Sequence, residues 1–85
     1  MPTNDRPRGH LPDAEVSLDR LRRAGWSVAE YTVRFVRPPA WVHLVVGEAG
    51  AARLLAAGST RDEAARRACA QAEAMGMLVP GDDAA

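Results

Sequence analysis

His10, His43, Cys69 and the run Arg61-Asp62-Glu63 with Arg66 and Arg67 are the residues of this 85-residue chain best suited to chemistry. A zinc site needs converging ligands at short spacing, such as C-x-x-C or H-x-x-x-H, and neither spacing occurs. A cysteine nucleophile needs a histidine base beside it. Cys69 instead falls on a stripe of small residues, where a buried thiol packs as an inert apolar group. Acid–base work by Asp62 and Glu63 needs a cleft, and both carboxylates are accounted for by a helix start. Gly47 and Gly50 open neither a P-loop nor a dinucleotide motif. The reading is a non-enzymatic protein with no catalytic residues, no metal, no cofactor and no small-molecule substrate.

The arginines raise a second chemistry, phosphate recognition. All 11 basic residues are arginine, and 11 acidic residues bring the formal net charge to zero. Neutrality argues against a strong electrostatic footprint for nucleic acid or an anionic membrane. Asp62 with Arg66, and Glu63 with Arg67, are acid-before-base pairs at i,i+4 spacing, which neutralise the face they occupy. No apolar run approaches the ~20 residues of a membrane span. With one cysteine and no signal-peptide pattern, a reducing cytoplasm is the expected compartment.

The elements that would position these residues are legible in turn. Residues 1–10 lack periodicity and read as a disordered arm. From Pro12 or Asp13 to Ala24 the spacing of Ala14, Leu18 and Leu21 predicts a helix, with Gly25 as its left-handed stop and Trp26 folding back on Leu21. Ser27–Val36 alternates strictly: Ala29, Tyr31, Val33 and Phe35 against Glu30, Thr32 and Arg34, a strand signal. Arg37-Pro38-Pro39-Ala40 connects it to a second strand, Trp41–Val46. Gly47-Glu48-Ala49-Gly50 is the expected hairpin turn. Residues 51–57 are helical by propensity and strand-like by length, and the strand is preferred. Gly58-Ser59-Thr60-Arg61-Asp62-Glu63 then predicts a capping box: the Thr60 hydroxyl accepts from the amide three residues on, and Glu63 reaches back to the Thr60 amide. An alanine-rich helix follows from Arg61 to about Met75. Residues 79–85 read as an acidic, disordered tail, leaving one α+β domain over residues 11–78. It has the order α-β-β-β-α, with both helices on one face of a three-stranded antiparallel sheet.

That order, with Gly58-Ser59-Thr60 entering an alanine-rich last helix, resembles the double-stranded-RNA-binding domain. The resemblance implies the same helix-on-sheet layout, and it would place phosphate contacts at the start of the last helix, on Arg61, Arg66 and Arg67. Where the family carries a lysine cluster this chain has Arg61, Asp62 and Glu63. Its first strand connection, residues 37–40, lacks the family's glycine and histidine. The resemblance therefore implies the fold more than it implies RNA binding.

If the helices cover Tyr31, Val33, Phe35, Val42, Leu44 and Val46, the open face of the sheet carries Arg34, Trp41, His43, Val45, Arg53 and Leu55. An apolar patch of this kind on a small domain marks an interface. The expected function is a protein-interaction or self-association module binding through that face. A nucleic-acid-binding domain using the last helix is the alternative.

Overall fold

Residues 13–79 are described by the computed structural model, in the order α1 (Asp13–Arg23), β1 (Ser27–Val36), β2 (Pro39–Ala49), β3 (Ala52–Gly58) and α2 (Arg61–Ala74). The readings of residues 1–10 and of the last six residues, and the choice of Pro12 as a helix start, fall outside the described residues. The three strands form one antiparallel sheet in the order β1-β2-β3. The architecture is α+β with the expected α-β-β-β-α order.

Both helices end in the same way. The Trp26 N–H donates to the Leu21 carbonyl and the Gly25 N–H to that of Arg22. The Met77 N–H donates to Ala72 and the Gly76 N–H to Glu73. Each pair of bonds is a Schellman stop, and each needs a left-handed residue, supplied by Gly25 at φ 101° and Gly76 at φ 74°. At the start of α2 the Thr60 hydroxyl accepts from the Glu63 N–H at 3.0 Å. The Glu63 carboxylate reaches one residue further back than expected, to the Ser59 N–H at 2.7 Å. Those backbone and hydroxyl donors hold its pKa below the usual carboxylate range.

Two turns differ from expectation. β2 begins at Pro39 rather than Trp41, so the first connection is Arg37–Pro38 alone, joined by a cis peptide. β2 also runs on to Ala49, and the second turn is Gly50–Ala51 rather than residues 47–50. Gly50 takes it at φ 62°. A two-residue loop pairs odd-numbered residues with even ones: Val45 lies opposite Ala56 and Val46 opposite Leu55.

That parity puts Val45, Leu54 and Ala56 on one face, and the helices cover that face, the reverse of the expected side. Val45, Leu54 and Ala56 are buried with Leu18, Leu21, Trp26 and the α2 stripe Ala64, Ala65, Ala68, Cys69 and Ala72. The covered face has small residues because α2 lies close. A Cβ on Gly58 would stand 2.6 Å from the Ala64 backbone nitrogen, and one on Gly47 would stand 3.1 Å from the Leu54 and Trp26 side chains. Tyr31, Phe35 and Leu55 face away from the helices and are half exposed or more.

Candidate interaction surface

Opposed residues in an antiparallel pair share a face. Through the register, Ala29, Tyr31, Val33 and Phe35 of β1 therefore stand with Val42, Leu44 and Val46 of β2 and with Leu55 and Ala57 of β3. This is the more apolar side of the sheet, and no described element covers it. Tyr31 is 55% exposed, Phe35 50% and Leu55 60%. Its charged residues are Glu48 and Arg53, a cross-strand pair that faces itself at 3.8 Å at the Gly50 end. Ser27, Ala29, Tyr31, Val46 and Glu48, with Val28, line a hollow of about 230 Å3 at the start of β1.

Of the expected interface residues, Arg53 and Leu55 lie on this open face. Arg34, Trp41, His43 and Val45 lie on the other. Val45 is 1% exposed beneath the helices, so it is a core residue. Trp41 is exposed all the same, because β3 pairs with β2 only as far as His43 opposite Gly58. Beyond that point β1 and β2 project as a two-stranded end, with the Arg34 guanidinium 5.7 Å from the Trp41 ring. The open-face residues Tyr31, Val33, Phe35, Val42, Leu44 and Val46 were visible in the sequence as one alternating set, but assigned to the core.

The arginines proposed for phosphate have work inside the chain. Arg61 donates to Glu15 at 2.6 Å and to both oxygens of Glu30, at 2.6 and 3.0 Å, tying α2 to α1 and β1. Its bonds to the two carboxylates raise its already high pKa, and the Arg61 hydrogen bonds hold Glu30 below the usual carboxylate range. Arg67 pairs with Glu63 at 2.8 Å and donates to the Ala57 carbonyl. Arg66 is exposed on α2, at the groove it lines with Val16, Ser17 and Arg20 of α1. In comparisons with known proteins no family model, curated protein or solved structure matches this chain.

Three features were missed from sequence. Asp62 accepts the Ala14 N–H at 2.9 Å, capping α1 rather than its own helix; Glu63 alone completes the box, which leaves Asp62 spare and was the available signal. The Trp26 indole N–H donates to the Met77 carbonyl, closing the two helix ends on each other. Gln71 binds the outer edge of β3, accepting the Leu55 N–H and donating to the Leu55 carbonyl. Cys69 is buried as expected, its thiol 3.2 Å from the Ser17 carbonyl, and burial pushes its pKa up. Among the described residues no three metal-type ligands gather, and no helix is long and apolar enough to cross a membrane.

Proposed function

We propose that this protein is a non-enzymatic interaction module that self-associates by stacking the open faces of two sheets. The observation that carries the reading is the inversion of the sheet: its more apolar face is the uncovered one. Two aromatic side chains of roughly 200 Å2 each, half exposed, together with Leu55 leave about 300 Å2 wet in each copy. Burying that in two copies gains about 15 kcal/mol gross at ~25 cal/mol/Å2. Association costs roughly 4–15 kcal/mol, so the valine and leucine neighbours on the face turn the balance toward binding.

A second copy suits the face better than a charged partner. Glu48 and Arg53 neutralise each other, and the chain as a whole carries no net charge, so like faces meet without repulsion. Strands of at most about ten residues at about 3.3 Å, three of them at about 4.8 Å spacing, give at most roughly 450 Å2 of sheet per copy, about 900 Å2 for the pair, the size of a weak, transient interface. The α-β-β-β-α layout is compatible with the double-stranded-RNA-binding family. Against a duplex-binding role, Arg61 and Arg67 commit their donors to Glu15, Glu30, Glu63 and Ala57.

Sedimentation equilibrium tests this with Leu55→Glu beside Trp41→Ser. Wild type is expected to associate, Leu55→Glu to lose that step, and Trp41→Ser, on the opposite face, to keep it. A wild type that stays monomeric up to about 0.1 mM, or a loss confined to Trp41→Ser, overturns the reading.

A further inference from the structure

The two edges of the sheet are treated differently. On β3 the outward N–H and C=O of Leu55 are taken by Gln71 and the Ala57 C=O by Arg67. Among the described residues no side chain does this for β1, which runs ten residues without a bulge or an internal proline. Native edges are ordinarily guarded, so a long bare edge is a pairing template.

The order of residues along β1 says what fits it. About Thr32 the strand is chemically self-complementary in the antiparallel sense. Val28 would face Val36 of a second copy, Ala29 would face Phe35, Glu30 would face Arg34, Tyr31 would face Val33, and Thr32 would face Thr32. Opposite charges, aromatic with β-branched residues, and threonine pairs are the favourable cross-strand combinations. Each falls into place in one register. A slip of one residue would put the apolar side against the covered side.

We infer that β1 pairs antiparallel with β1 of a second copy about a two-fold axis through Thr32, joining the two sheets into one of six strands. Glu30 keeps Arg61 and still has lone pairs for Arg34 of the other copy, since a carboxylate offers about four acceptor sites. The projecting end benefits most. Residues 33–36 have β2 on one side and no third strand beyond it, and a two-stranded ribbon is marginal in water. In the paired form its free side is flanked by residues 28–31 of the other copy. Val36, 71% exposed in the single chain, lands beside Val28. This edge contact is independent of the stacked faces.

A disulfide trap reads the register directly. In a Cys69→Ala background, Thr32→Cys places two thiols on the axis. Opposed Cα atoms there are about 4.5–5.5 Å apart, within disulfide reach. Under mild oxidation with diamide, the Thr32→Cys chain is expected to cross-link to a dimer. Arg34→Cys alone should not, because its twin lies about 13 Å further along the strand, whereas a mixture of Arg34→Cys and Glu30→Cys should. Stacked faces cannot produce the link at position 32, since Thr32 lies on the helix side, so the trap in a Leu55→Glu background separates the two contacts. Arg34→Glu with Thr32→Cys should slow the link about tenfold by setting carboxylates opposite each other twice. Circular dichroism confirms that each variant is folded. A link that forms no faster in Thr32→Cys than in Arg34→Cys, or that Arg34→Glu leaves unchanged, overturns the pairing.

Discussion

Val45 and Val46 are adjacent, identical side chains on opposite faces of the central strand, and truncating each to alanine gives opposite phenotypes. Val45 is 1% exposed in the core. Val45→Ala removes two buried carbons, about 1.6 kcal/mol of transfer free energy. A residual cavity of ~40 Å3 adds about 1 kcal/mol at ~24 cal/mol/Å3. The total, about 2.5 kcal/mol, lowers the melting temperature by roughly 10–20 °C in a domain of this size. Val46 stands on the open face opposite Leu55 and Ala29, so in the single chain its truncation costs less than about 1 kcal/mol. Any intrinsic strand preference of valine over alanine is common to both and cancels. In the stacked pair the ranking reverses: Val46→Ala removes buried area from both copies and weakens association about tenfold, whereas Val45→Ala leaves the face intact. Urea unfolding at high dilution reads the first effect, and sedimentation across a concentration series reads the second. Equal losses of stability, or a larger loss for Val46→Ala at high dilution, would refute the assignment of faces.

Gly58→Ala should destabilise by about 1–2 kcal/mol in urea: overpacking against the Ala64 nitrogen outweighs the ~0.4–1 kcal/mol gained from a stiffer unfolded chain. A neutral or stabilised variant would mean that α2 moves aside freely. Acidification should weaken the fold. Glu30 and Glu63 are both held below the usual carboxylate range, so the stability they lend is present above that range and is lost as pH falls through their folded values. Thermal melts from about pH 6 down to about 3 should fall less steeply for Glu30→Gln than for wild type. Cys69, with its thiol buried and its pKa raised, should react with a chromogenic disulfide reagent only as fast as the chain opens. A fast native reaction would contradict its burial.

Much of the fold was legible because its signals are local. Gly25 and the Thr60–Glu63 box announce helix ends within a few residues, and the alternation of Ala29, Tyr31, Val33 and Phe35 announces a strand. Which face the helices take is not a local property. Period two defines two sides and ranks neither, and ranking them by bulk points to Tyr31 and Phe35. What decides the matter is approach distance. An alanine stripe such as Ala64, Ala68 and Ala72 packs closely against small residues, here Ala56 and Gly58, and the register puts Val45 on the same side. A four-residue turn at 47–50 would pair the strands with the same parity as Gly50–Ala51 does, so turn length alone does not choose the covered side. The Asp62–Ala14 and Gln71–Leu55 bonds span 48 and 16 residues, and no periodicity encodes them.

Gln71 matters beyond the strand it caps. Strand addition is open-ended when every subunit offers two edges, and the product is a fibre. Here one edge is taken up by a side chain of the same molecule, through both the N–H and the C=O of Leu55. A protein with one bare edge can join only once along the sheet: after β1 meets β1, both margins of the six-stranded sheet are β3, and both are plugged. In the proposed pairing Gln71, with Arg67 beside it, would limit the size of the assembly, and removing its amide, as in Gln71→Ala, is expected to favour further strand addition.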